Sequence, residues 1–140
     1  MGKQELDNLV KVGNLKTEAA SRSEFDGMVK SARRGLADAQ NESIETDSQF
    51  DLAYEAAHKF ALAALRQQGY RSETRITVFQ TLVHTLAIDK ADLQIFLKAH
   101  NERNLAAYEG RVDIDNKLLT ALISATKKLE TAVRKLTPPN

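Results

Sequence analysis

The chain has no cysteine, no tryptophan and, before residue 138, no proline. Without thiols it can hold no disulfide, no thiolate-bound metal and no cysteine nucleophile. No run approaches the about 18 apolar residues that a membrane-crossing helix requires. The opening Met1-Gly2-Lys3-Gln4-Glu5-Leu6-Asp7 lacks the apolar core of a secretion signal. The expectation is therefore a protein with no membrane partner, located in the cytoplasm, whose reducing conditions suit a cysteine-free chain. Charge of one sign is scarce too: 20 Lys/Arg against 19 Asp/Glu leave +1, far from the basic excess that grips duplex nucleic acid by charge alone. Three Tyr and five Phe are too few for an extended base-stacking platform. Any contact with nucleic acid has to be local.

What the chain does contain is helix-forming material. With 140 residues, two prolines at positions 138 and 139 and only six glycines, it is of single-domain size and rich in Ala, Leu, Lys, Glu and Gln, which favour helices over strands. No period-2 alternation marks a strand. The spacing predicts an all-α, up-and-down bundle of four to five main helices plus a short N-terminal helix, forming one domain over residues 1–140.

Leu6, Leu9 and Val10 mark a short helix over 4–12, ended near Gly13. Ser21 and Glu24 have capping-box spacing before a helix of 22–40 with Phe25, Met28, Val29, Ala32, Leu36 and Ala39 on one stripe. Asp47 or Ser48 can cap a third helix that runs to about Gln68, with Gly69 as its stop. Its many alanines, Ala53, Ala56, Ala57, Ala61, Ala63 and Ala64, let neighbours approach closely and mark it as the central helix. A helix over 74–86 follows, then one capped by Asp89 that runs to Gly110, and a last one begun by Asp113 or Asp115 and stopped by the proline pair.

One stretch carries chemistry rather than packing: Glu102-Arg103-Asn104-Leu105-Ala106-Ala107-Tyr108-Glu109-Gly110. Arg103 offers a permanent cation with a planar fork of donors, Asn104 an amide, and Tyr108 a hydroxyl on an aromatic face, a set suited to phosphate and base contacts. His100, three residues before Arg103, can share its helix face. His58 and His84 are the other imidazoles, and no two histidines have metal-ligand spacing, so neither a metal nor another cofactor is expected. In an unbroken helix Arg103 and Tyr108 stand about 140° apart. They meet only if the helix loosens before Gly110 or if two subunits bring their copies together. A purely structural alternative pairs Arg103 with Glu102 or Asp92 and lets Tyr108 cover the bundle end. The basic triplet Lys30, Arg33 and Arg34, and separately Arg71 and Arg75, can edge a phosphate groove or simply face water. No Gly-rich phosphate loop or nucleophile elbow is present, and Ser21, Ser23 and Ser124 lack a His-Asp setting.

These residues give the chain a resemblance to a known family. Ser31-Ala32-Arg33-Arg34-Gly35-Leu36-Ala37-Asp38-Ala39, Phe50-Asp51-Leu52-Ala53-Tyr54-Glu55-Ala56-Ala57 with Gly69-Tyr70-Arg71, and Glu102-Arg103-Asn104 resemble the HEPN domains, small α-helical proteins of prokaryotes and higher eukaryotes associated with nucleotide binding. With the helix order, the resemblance spans roughly residues 25–136. The family's functional motif is an arginine followed four to six residues later by histidine, often with a polar residue directly after the arginine. Arg103-Asn104 matches its start, while Tyr108 stands where histidine is expected and positions 109 and 110 supply none. Tyrosine, with an unperturbed pKa of about 10 against about 6.5 for histidine, is a poor base near neutrality.

The resemblance implies nucleotide or RNA binding through Arg103, Asn104, Tyr108 and His100, as part of a toxin–antitoxin or defence pair. It also implies a homodimer with the motif near the subunit interface. Two alternatives stand beside it. One is a metal-independent ribonuclease in which Arg103 stabilises phosphate and Tyr108 or His100 transfers protons; the other is a non-catalytic module for a nucleotidyltransferase or antitoxin partner.

Overall fold

The computed structural model describes residues 2–110 and 114–140. The polypeptide forms an all-α bundle. Among the described residues four long helices build it: α2 (Arg22–Ala39), α3 (Thr46–Gln67), α6 (Lys90–Glu109) and α7 (Asn116–Arg134). Three short ones complete it: α1 (Lys3–Lys11), α4 (Arg75–Gln80) and α5 (Leu82–Thr85). Contacts between helix ends fix an up-down-up-down order. Glu24 in the first turn of α2 reaches Arg66 at the end of α3, Asp92 at the start of α6 reaches Lys128 late in α7, and Gln67 donates to the Thr137 carbonyl just past α7. Among the described residues no helix is long and apolar enough to cross a membrane.

The alanines of α3 decide the packing. Ala53, Ala56, Ala57, Ala61, Ala63 and Ala64 are all buried, so α2 and α7 close on a nearly smooth helix surface. A larger side chain at any of these positions would overpack the interior, at a cost of about 1–3 kcal/mol. Phe50, Tyr54, Phe60 and Leu65 fill the space that the alanines leave. From α7, Leu118, Leu119, Leu122, Ala125, Leu129 and Val133 complete the core. Thr126, buried among them, donates its hydroxyl to the Leu122 carbonyl at 2.7 Å and so carries no unpaired donor.

Three local features depart from the sequence expectation. First, α3 begins at Thr46, with Glu45 in the cap position and no side-chain capping bond, rather than being capped by Asp47 or Ser48. Second, the helix expected over 74–86 breaks at Thr81, whose buried hydroxyl donates to the Val78 carbonyl at 2.7 Å. A side-chain bond of this kind competes with the helical ladder and bends it. Third, Lys16–Thr17 and Tyr70–Arg71 form a two-residue antiparallel strand pair, β1 and β2, where no strand was expected. They are too short to carry an alternation signal.

Arg66 explains why that pair exists. Its guanidinium, 2 % exposed, bonds Glu24 at 2.6 Å, Glu18 at 3.2 Å and the carbonyls of Glu18, Ala19 and Tyr70. One buried fork thus ties the chain before α2 to the turn after α3. Ser21 caps α2 as expected, accepting from the Glu24 amide at 3.3 Å, while the Glu24 carboxylate goes to Arg66 and Arg71. Of the two proposed caps for α7, Asp115 is the one observed, accepting from the Lys117 amide at 2.9 Å. Asp113 lies outside the described residues.

Candidate functional site

Helices α3, α4 and α6 meet at a corner that gathers most of the chain's chemistry-bearing side chains. Helix α3 presents Tyr54, Glu55 and, one turn on, His58. Helix α6 presents His100, Arg103 and Asn104, at i, i+3 and i+4 and hence on one face. Arg75 is the first residue of α4. It is delivered there by the turn after β2, which the Arg66 anchor fixes.

Tyr54 is the hub. Its side chain is fully buried, and the guanidiniums of Arg103 and Arg75 lie 5.2 and 5.7 Å from its ring centre, within cation–π range. A buried tyrosine needs a partner for its hydroxyl, and the Tyr54 hydroxyl has Nδ1 of His100 at 2.8 Å. The other ring nitrogen of His100 lies 3.2 Å from the Asn104 amide nitrogen. Both nitrogens therefore have a polar neighbour, and the two contacts together hold the plane of the ring.

Glu55 sits between the cations. Arg75 Nη1 donates to both of its carboxylate oxygens at 3.0 Å, and Arg103 Nη2 lies 3.5 Å from Oε2. The side chains of Arg75, Arg103 and Glu55 are 32 %, 36 % and 37 % exposed, so this ion triad faces water on one side and the core on the other. Asp51 lies one turn before Glu55 on the same helix.

Electrostatics at the corner follow from this placement. Burial, followed by the charges of Arg103 and Arg75, pushes the His100 pKa down. Burial and Arg75 push His58 down to about 4. Both imidazoles are thus neutral at neutral pH, and the positive charge of the corner belongs to the two arginines. Burial pushes the Tyr54 hydroxyl up, with Arg75 opposing, so it keeps its proton. Burial works against the Arg75 charge, yet bonds to Glu55 and Tyr54 hold its pKa above the ordinary value. Burial and the neighbouring Asp47 push the Asp51 carboxyl up.

The residues singled out in the sequence divide accordingly. Arg103, Asn104 and His100 come together. Tyr108 stands apart: α6 continues unbroken to Glu109 and ends at Gly110 in the left-handed conformation, so within one chain Tyr108 leaves the helix about 140° from Arg103. It is 89 % exposed. Arg103 reaches Glu55, and Asp92 is taken by Lys128. His58 packs edge-on against Phe79. Lys30, Arg33 and Arg34 line a separate groove of about 390 Å³ beside α7, where Arg33 is tied to Glu130 at 3.2 Å. Arg71 belongs to the Glu18–Glu24 anchor.

Neither Tyr54 nor Glu55, both inside the Phe50–Ala57 stretch, was expected from the sequence to belong to the site. The available signal was the hydroxyl of a tyrosine on an otherwise alanine-lined face, which had to find a polar partner from another helix. Among the described residues no cluster of histidines and carboxylates has the makings of a metal site. Compared with protein-family models, curated proteins and solved structures, the chain gives no match.

Proposed function

We propose that the protein is a HEPN-like nucleotide- or RNA-binding protein whose phosphate contacts are made by Arg75 and Arg103. One observation carries this reading: two guanidiniums from different helices converge on the same carboxylate at a water-facing corner, stacked on a buried tyrosine that fixes their direction. A guanidinium pair so held brings permanent cationic N–H donors from two directions to one oxyanion, chemistry suited to phosphate recognition. Asn104 and His100 stand alongside as further polar contacts. The site is local, in keeping with a net charge of +1.

The test is fluorescence anisotropy of labelled single-stranded RNA and of a nucleotide. Arg103→Ala and Arg75→Ala are each expected to weaken binding by about tenfold or more, the loss typical of a charge-assisted hydrogen-bond donor. Unchanged affinity in both variants would count against the assignment.

A second reading, metal-independent ribonuclease action, is favoured by the placement of His100 beside the arginines, and requires bound RNA to take over the Asn104 contact so that Nε2 is free. An imidazole near a bound phosphate can pass a proton while the 2′ hydroxyl of RNA attacks phosphorus and the 5′ oxygen leaves. Cleavage of labelled RNA in the presence of chelator, lost in both His100→Ala and Arg103→Ala, is its signature. Cleavage indistinguishable from these variants removes it.

A further inference from the structure

Resting on the proposed phosphate site, we infer that Glu55 is a stand-in anion occupying that site in the free protein, and that the ligand which displaces it carries a terminal phosphate.

The geometry already resembles an occupied anion site. Both Glu55 oxygens are spent on Arg75, and one of them also faces Arg103. Arg75, Arg103 and Glu55 by themselves carry a net charge of +1, to which the neutral imidazoles of His58 and His100 add none, with the Asp51 carboxyl one turn away. A ligand enters by taking over the arginine donors. Glu55 can leave without disturbing the bundle, because its backbone belongs to an alanine-packed helix while its side chain is partly exposed and rotates about three torsions.

The exchange selects its ligand by charge. An internal phosphodiester brings a single negative charge, so replacing the carboxylate with it trades one monoanion for another. A terminal phosphate has a second pKa of about 6 and three acceptor oxygens. It can face both guanidiniums at once and neutralise the charge that Glu55 leaves uncompensated. The same chemistry is offered by a nucleoside monophosphate and by a phosphorylated RNA end.

The experiment uses the full chain and a 3′-labelled RNA decamer carrying either a 5′ phosphate or a 5′ hydroxyl, with AMP and adenosine as unlabelled competitors. The wild type is expected to bind the phosphorylated decamer about tenfold more tightly than the hydroxyl form. Glu55→Gln keeps the size and removes the charge; it is expected to bind the hydroxyl form more tightly than the wild type does, narrowing the preference to about threefold or less. Glu55→Ala serves the same purpose should the amide variant not fold, as checked by circular dichroism. AMP displacing the phosphorylated decamer where adenosine does not identifies a free nucleotide as sufficient, and failure of both AMP and adenosine to displace it identifies the RNA end. Either outcome supports the inference. Equal wild-type affinity for the two decamers, or weaker binding of every probe by both Glu55 variants, overturns it; the phosphate site itself then stands if Arg103→Ala still loses binding. No binding of any probe by wild type or variants overturns both.

Discussion

The Tyr54 hydroxyl and Nδ1 of His100 lie 2.8 Å apart, joining α3 to α6 at the point where Arg75 and Arg103 converge. The bond serves two ends: it satisfies a buried phenol, and it fixes an imidazole whose other nitrogen meets Asn104. Tyr54→Phe leaves the ring for the arginines to stack on but strips His100 of this partner. Removing one side of a buried hydrogen bond costs about 1–2 kcal/mol. Urea denaturation should show that loss with an unchanged slope, and a change below about 0.3 kcal/mol would mean that the bond contributes little to the fold.

His58 sets a pH dependence of known sign. Its folded-state pKa of about 4 lies below the ordinary 6.5, so between those values the unfolded chain binds the proton that the folded chain refuses. Stability from this group is present above pH 6.5 and falls as the pH drops toward 4, by about 2 kcal/mol between pH 7 and pH 5. His58→Phe, which retains an aromatic ring beside Phe79, removes the group and should flatten the wild-type loss by that amount. Equal slopes for the two proteins in urea midpoints across this range would refute the assignment.

Arg66 tests what holds the corner from behind. A guanidinium 2 % exposed with two carboxylates and three carbonyls around it cannot be removed without leaving Glu24 and those carbonyls short of donors. Arg66→Ala is expected to cost about 3–5 kcal/mol. Amide hydrogen exchange should quicken first at residues 16–18 and 70–71, the strands that this side chain ties together. Exchange confined to α7 would point to a different weak spot.

Tyr108 separates the present site from one drawn on sequence spacing alone. Exposed and on another side of α6, it makes Tyr108→Ala a substitution worth less than about 0.5 kcal/mol in stability. Affinity for RNA or nucleotide should stay within about threefold of the wild type, against a tenfold loss for Arg103→Ala. A Tyr108→Ala defect as large as that of Arg103→Ala would mean that copies from two chains share one site.

The long helices were legible because their signals are local and repeated. Ser21, Asp89 and Gly110 fall at helix ends as expected, and the alanines of α3 correctly marked the central helix. The break at Thr81 was hidden because a threonine hydroxyl folding back on its own helix leaves no trace in hydrophobic spacing. The two strands depend on Arg66, a cation near the end of α3 whose burial leaves no mark in the spacing of apolar residues. For the site, Arg103, Asn104 and His100 were legible since one helix carries all three. Glu55 and Arg75 come from elsewhere in the chain, and only the crossing of α3 and α6 beside the start of α4 brings them to the same corner.

The central claim, that the Arg75–Arg103 pair is where an outside phosphate binds, is tested most directly by titrating isotope-labelled protein with AMP or 5′-phosphorylated RNA and following its NMR spectrum. The account predicts that the arginine side-chain signals of Arg75 and Arg103 and the amides of residues 54, 55, 100 and 104 shift together with one dissociation constant. Shifts centred instead on Lys30, Arg33 and Arg34 along the α2–α7 groove, with the Arg75–Arg103 corner unmoved, would contradict it.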